Sequence, residues 1–431
     1  MKNISEVEVF LYNHKVGTLL EDEGIVYFNY SQKFKLHNLE ISPIKLNTTT
    51  TKGLYTNRDD KAFQGIPGVF FDSLPDNFGM AFIDRHFEAK GYKVSEITLL
   101  DRLTFIGDRG MGALEYQPKE DDTPISNKTS INIKEAYENM KEILAHKQEH
   151  YSIEDLMNII DSASPLGGGK PKMLVIYNDS TNTFKYNSKI LPDNFERYII
   201  KFDELYPHNL ISKDLTKFEY IYMQLASECG ITIPTIKLID DNNTTNLIIK
   251  RFDRDSNDNK IHISTAAALL HKNIYIPKTL SYEELFHLTN RLTKSQGEIE
   301  QLYRRMIFNA LSFNNDDHGK NFSFIMDKEG NWKQSPAYDI TYSFGVMTKE
   351  HLTTINGKGA NFSLDDFLKI AKENMIKEKL ALEIISDTSN KLLEFQERAI
   401  SLGINGASIN GCIDNIKRQR EIIFQDRRMQ I

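Results

Sequence analysis

The apolar residues are patterned unevenly along the chain, and that segregation limits the fold more than any other feature. Up to about residue 250 short alternating or continuous runs, EVEVFLYN, IVYFNY, MLVIYN, YIIKF and NLIIK, stand between a few helical stretches. From about residue 281 onward the apolar residues recur mainly at helical spacing. Period two buries one face of a pleated strand, whereas period 3.6 buries one stripe of a helix. Segregated patterns of this kind predict an α+β chain, with sheets toward the N-terminus and helices toward the C-terminus.

The punctuation between these runs predicts where the modules divide. Turns are expected at Val16-Gly17 and Glu23-Gly24. Asp76 or Asn77 caps a predicted helix carrying Met80, Ile83 and Phe87 on one face and ending near Gly91. The polar run PKEDDTPISNKTS, about 118–130, reads as a linker. Beyond it, Ile133, Tyr137, Met140 and Leu144 define a helix opened by Asn132 and Glu135. A second helix starts the same way at Ser152 and Asp155. LTKFEYIYMQLASECG gives a helix with Phe218, Ile221, Tyr222, Leu225 and Cys229 inward, stopped by Gly230. The expected domains are an N-terminal β-rich subdomain over 1–120, a β-rich lobe with a glycine loop over 130–253, and a helical lobe over 254–431. A β-lobe followed by an α-lobe that carries an acidic loop is the layout of a two-lobed, protein-kinase-like fold.

Composition narrows the setting. A formal charge of -7 gives no general attraction to nucleic acid or to an anionic membrane. Two cysteines argue against a disulfide framework and fit a reducing, cytoplasmic compartment. No apolar stretch approaches the roughly 20 residues of a membrane span, and MKNISEVEVFLYNHKVG lacks a signal-peptide core.

Chemistry concentrates in FNNDDHGKNFSFIMDKEGNWKQSPAYDI, residues 313–340. Phosphoryl transfer needs a carboxylate beside the attacking hydroxyl and oxygen ligands for a magnesium ion on the nucleotide phosphates. Asp316 and Asn321 have the five-residue spacing by which protein kinases separate the catalytic Asp from a metal-binding Asn. A predicted β-hairpin, FSFIMD-KEGN-WKQSPA, then returns the chain at Asp339. DDHGKN alone reads more readily as a solvated turn, and the downstream YDIT reverses that reading in favour of a site. His318 fits a role in orienting the loop, and Lys320 one in neutralising phosphate charge.

Gly167, Gly168 and Gly169 precede a strand rather than a helix, and Lys170 is followed by Pro171, so the run is not a Walker loop. A glycine loop flanked by strands instead lets backbone N–H groups approach phosphates. Lys201, in YIIKF, reads either as a strand-edge residue or as a phosphate ligand paired with Glu219 on the next helix. Arg251 and Phe252 end a strand where a hinge should present its backbone to adenine. Asp253 and Arg254 read as a structural ion pair.

Taken in order, these segments resemble the HipA family of toxin serine/threonine kinases over nearly the whole chain. FFDSLPDN (70–77) is similar to the family's FFxNLLPDN signature, and IGDRGMGAL to its later glycine turn. SPLGGGKPK resembles the glycine loop, YIIKF the ATP-lysine strand, KRFDR the hinge, and NNDDHGKNFSF with PAYDIT the catalytic and metal motifs. The D-x-H-x-x-N core also occurs in phosphatidylinositol-kinase-like enzymes.

The resemblance implies a kinase using ATP and Mg2+, with Asp316 as catalytic base supported by His318 and Lys320. Asn321 and Asp339 would bind metal. Gly167, Gly168, Gly169, Lys170, Lys172, Lys201, Glu219, Arg251 and Phe252 would hold the nucleotide. It further implies a protein substrate such as an aminoacyl-tRNA synthetase, a small helix-turn-helix antitoxin, DNA contacted only through that antitoxin, and no membrane. Members of the family autophosphorylate a serine beside the glycine loop, which ejects the loop; Ser162 and Ser164 are the candidates. GGGKPK departs from the family's usual G-A-Q-x-K, which leaves the choice of serine open. The alternatives are a non-catalytic nucleotide-binding module of an antitoxin complex and a lipid or small-molecule kinase. Retention of Lys201, Asp316, Asn321 and Asp339 favours catalysis.

Overall fold

A computed structural model describes residues 4–75, 77–118, 130–145, 158–160, 162–163, 170–203, 214–241, 244–344 and 349–425. The chain is mixed α+β and separates into two compact units. The first comprises Met1–Phe202, Ile239–Ser264 and Ile325–Asn331. The second comprises Asp203–Leu238, Thr265–Phe324 and Trp332–Ile431. This division runs through the 130–253 span and gives the helix Leu215–Glu228 to the second unit.

The first unit holds two five-stranded sheets. The N-terminal sheet has β1 (Glu6–Leu11), β2 (His14–Asp22), β3 (Ile25–Tyr30), β4 (Tyr55–Thr56) and β5 (Leu114–Gln117), ordered β4-β3-β2-β1-β5. All four pairings are antiparallel. Alternation supplies the core, because Val7, Val9, Leu11, Leu19 and Phe28 are fully buried. Phe28 meets Phe70 with ring centroids 4.7 Å apart.

The turn expected at Val16-Gly17 is not there. The hairpin reverses at Tyr12–Asn13, whose φ values of 50° and 66° suit the twist of a two-residue turn. The Tyr12 hydroxyl secures that left-handed pair by donating to Met326 O (2.6 Å) and accepting from His262 N (2.9 Å). Gly17 instead lies inside β2, opposite a register shift at Val9/Phe10. A Cβ there would fall 2.3 Å from Asn29 O and 2.7 Å from the Phe28 ring, so close packing, not turning, requires glycine. The second turn is as expected, with Glu23 and Gly24 at φ 49° and 76°.

The second sheet has β6 (Lys172–Asn178), β7 (Thr183–Tyr186), β8 (Glu196–Lys201), β9 (Ile236–Asp241) and β10 (Thr244–Lys250), ordered β7-β6-β8-β10-β9. Every residue of β6 is buried, which explains why MLVIYN shows no alternation. The helix Ile133–Leu144 starts at Asn132, whose side chain accepts from Glu135 N, and stacks Tyr137 on Phe202 at 5.0 Å.

In the second unit, the helix Gln296–Ser312 carries the chain into the acidic loop. Its C-terminal end is fixed from the helix Leu215–Glu228. Tyr222 is fully buried, donates to Ser312 O at 3.0 Å and packs on Phe395 at 5.2 Å. Ser281 and Ser363 cap the helices Tyr282–Thr293 and Leu364–Glu373 through reciprocal bonds with Glu284 and Asp366. Among the described residues, no helix is long and apolar enough to cross a membrane.

Candidate active site

The candidate residues divide between the two units. In the second unit, the helix Gln296–Ser312 ends on Phe313 in the left-handed region at φ 59°. Two neighbouring aspartates then part company. Asp316 keeps a partly exposed carboxylate (38%), while its N–H donates to Ser343 Oγ at 2.9 Å. Asp317 is turned inward with no exposed side-chain surface. Asn321 closes the loop by donating its Nδ2 to Asp316 O at 2.8 Å, so the five-residue spacing is a direct backbone clamp. His318 leans over the loop, its Nε2 3.9 Å from Asp316 Oδ1. Gly319 lies where a Cβ would come within 3.0 Å of Ala267 N, which accounts for the glycine in DDHGKN.

The segment bearing Asp339 is tied to the same loop. The Tyr338 hydroxyl donates to Lys320 O at 2.6 Å. Buried Arg305 donates Nη2 to both Asn321 O (2.6 Å) and Tyr338 O (3.3 Å), with its guanidinium 4.3 Å over the Phe322 ring. One nitrogen therefore keeps these two carbonyls within about 6 Å of each other. Burial lowers the Arg305 pKa, opposed by the fields of Tyr338, Tyr282, Asp339 and Asp317.

This donor set fits magnesium. With its Nδ2 on Asp316 O, Asn321 has Oδ1 left to offer, and Asp339 adds a carboxylate; both are hard oxygen donors. Among the described residues, no group of three or more His, Cys, Asp or Glu could hold a metal by itself. A site of few protein ligands that relies on water and nucleotide phosphates is the usual form for magnesium, which sheds its waters reluctantly.

In the first unit, Lys172 and Lys201 are direct cross-strand partners on β6 and β8. Residues directly opposite in an antiparallel pair share a face, so both ammonium groups leave the sheet on one side. Lys172 is 6% exposed. Lys170, just ahead, is exposed. Glu219 is buried on its helix in the second unit, not solvent-facing.

The Arg251 guanidinium grips Asp253 through Nε (2.9 Å) and Nη2 (2.7 Å), and its N–H donates to Arg197 O. The hinge reading therefore falls to the Arg251 carbonyl and the Phe252 backbone. Asp253 and Arg254 form the expected ion pair at 2.8 Å. Ser162 is fully buried, so a phosphoryl group could reach it only after local opening. Ser164, Gly167, Gly168 and Gly169 lie outside the described residues, as do the linker 119–129 and Asp76.

Sequence reasoning missed Arg305, Asp317, Tyr338, Ser343 and His351. Arg305 had a signal, a cation on the apolar stripe of LYRRMIF, where a buried charge demands partners.

The fold matches a solved chain at a TM-score of 0.65 and 16% identity, covering 97% of both chains; that structure is the Shewanella oneidensis toxin-antitoxin complex of HipA, HipB and operator DNA. The chain therefore shares the fold of a chain in that complex. Family models agree, the HipA N-terminal domain matching residues 7–117 and the HipA-like C-terminal domain residues 164–394. The chain belongs to the HipA family. A serine/threonine-protein kinase toxin HipA of Shewanella oneidensis is 23% identical over 62% of this chain, a match spanning only 60% of that relative's length. A Haemophilus influenzae relative, 26% identical over 52% of this chain and 72% of its own length, carries a provisional kinase name. Relatives in this family are thus named as kinases.

Proposed function

We propose that this protein is an ATP- and Mg2+-dependent serine/threonine protein kinase, the toxin of a toxin-antitoxin system. The observation that carries the reading is the joining of Asp316, Asn321 and the Asp339 segment by the Asn321 clamp and the Arg305 bridge. Each residue then has one task. Asp316 orients the acceptor hydroxyl and takes its proton as the oxygen bonds to the γ-phosphorus. The bond from that phosphorus to the β–γ bridging oxygen breaks, and ADP leaves. Asn321 and Asp339 would hold magnesium, which neutralises charge on the phosphates. Lys172 and Lys201 would draw the phosphates to the sheet, with Gly167, Gly168, Gly169 and Lys170 alongside and the Arg251-Phe252 backbone beside the adenine. Glu219 would steady Lys201, His318 would orient the loop, and Lys320 would meet developing charge on the transferred group.

The domains proposed are the N-terminal subdomain over 1–120, the nucleotide lobe over 130–253 and the catalytic lobe over 254–431. A helix-turn-helix antitoxin is the proposed partner, with DNA reached through it. A net charge of -7 argues against this chain gripping DNA directly. The proposed substrate is a component of translation, such as an aminoacyl-tRNA synthetase, in the cytoplasm.

The test is a phosphoproteome after induced expression, comparing wild type with Asp316→Asn. New phosphoserine or phosphothreonine in the wild type alone supports the reading. Identical profiles favour a non-catalytic nucleotide-binding module, and labelled lipid in place of protein favours a lipid kinase.

A further inference from the structure

Asp317 has the opposite surroundings from Asp316, although the two are adjacent and identical. Its Oδ1 accepts from Leu352 N (2.9 Å) and Thr353 N (3.0 Å). Its Oδ2 accepts from His351 Nδ1 (3.0 Å) and the Tyr282 hydroxyl (3.1 Å). The Thr353 hydroxyl donates to its carbonyl. The chain runs on: Tyr282 accepts from Asn309 Nδ2 at 2.9 Å, and Asn309 Oδ1 accepts from Asn314 Nδ2 at 3.0 Å. Burial first, and then the Asp317 charge, hold the Tyr282 phenol well above its ordinary pKa, so it stays a donor.

Four donors fill the acceptor capacity of this buried carboxylate, and they come from two separate segments. Leu352 N also donates to Asn315 O at 3.0 Å, so the 351–353 segment grips the residues on both sides of Asp316. With Ser343 Oγ on its N–H and Asn321 Nδ2 on its carbonyl, Asp316 has both backbone polar groups committed while its carboxylate stays partly exposed.

We infer that the buried Asp317–His351–Tyr282 cluster is a positioning device that fixes the backbone of Asp316 for phosphoryl transfer, His351 and Asp317 acting through Asp316 without touching substrate. The inference rests on the proposed kinase reading only for its effect on rate. Placement of a catalytic group is worth much, since a displacement of about 1 Å can cost ~100-fold in rate.

His351 is the place to test it, because asparagine puts an amide N–H near the position of Nδ1 while alanine removes the donor. The full chain is assayed with radiolabelled ATP, Mg2+ and a degenerate serine/threonine peptide library, alongside ATP affinity and melting temperature. His351→Ala should lower kcat about 10- to 100-fold, the scale of a lost charge-assisted hydrogen bond, with KM for ATP unchanged. His351→Asn should recover most of that loss. Hydrogen exchange gives a readout free of activity: amides of residues 315–321 should lose protection in His351→Ala and keep it in His351→Asn. Unchanged exchange overturns the anchor whatever the kinase assay gives. Parallel loss of kcat, ATP affinity and melting temperature also overturns it, because a purely structural role predicts that pattern. A wild-type protein that transfers no phosphate sinks the kinase reading alone, and exchange still decides the anchor.

Discussion

Asp253 offers a perturbation whose size follows from its surroundings. Its carboxylate is fully buried and accepts from Arg251 Nε and Nη2, Arg254 Nη1 at 2.8 Å and Gly112 N at 2.8 Å. Gly112 is itself fixed, at φ 78° with room for no Cβ beside Ile263. Burial alone would raise the Asp253 pKa. The Arg251 and Arg254 charges and the hydrogen bonds overcome that and hold it well below the usual carboxylate range. Asp253→Asn keeps the shape and removes the charge, leaving two guanidinium groups, 1% and 10% exposed, without their shared carboxylate. Breaking one side of a buried pair costs roughly 3–5 kcal/mol. For a unit of 150–250 residues that corresponds to a drop of roughly 6–20 °C in melting temperature. Calorimetry of the full chain should show the first unit's transition shifting while the second unit's stays. A group with a depressed folded pKa stabilises above its unfolded value of about 3.9 and loses that contribution as pH falls through the folded value. Wild type should therefore lose part of its advantage over Asp253→Asn below about pH 4. A shift under about 2 °C at neutral pH would show that the charge is dispensable and the network mere packing.

The remaining expectations concern the site. Asp339→Asn should abolish transfer and weaken Mg2+-dependent ATP binding, whereas Asp316→Asn abolishes transfer and leaves that binding nearly intact; calorimetry separates them. Lys201→Ala should weaken ATP binding by roughly 1–3 kcal/mol, and Glu219→Ala by less, with unchanged affinity returning Lys201 to its strand-edge reading. Arg305→Met removes the nitrogen that bridges Asn321 O and Tyr338 O, so the Mg2+ concentration for half-maximal activity should rise; an unaltered magnesium curve contradicts the bridge. Phosphate on Ser164, read by mass spectrometry after incubation with ATP, should add about -1.5 to -2 charge beside the glycine loop and lower ATP affinity. A protein that phosphorylates other proteins while Ser164 stays bare removes that switch.

What was legible in the sequence, and what was not, divides along a physical line. Periodicity gave the strands and helices because burial acts residue by residue on a fixed geometry, and β1, β3 and the helix Leu215–Glu228 lie where the alternation or the stripe puts them. Spacing marked Asp316 and Asn321 because their clamp spans one local loop. Gly17 misled because a glycine that permits close packing has the same letter as one that permits a turn. The commitment of the Arg251 side chain was not legible, because it depends on Asp253, two residues away, which is itself held by Gly112 from a distant loop. The two aspartates of DDHGKN make the point most sharply. Nothing local distinguishes them, yet one keeps an outward carboxylate and the other carries a buried anchor to His351, 34 residues on. A carboxylate's role is set by how many donors the fold aims at it, and those donors come from segments the sequence separates. The roles of the outward group can be guessed from spacing, whereas the groups that hold it in place become visible only once the chain is folded.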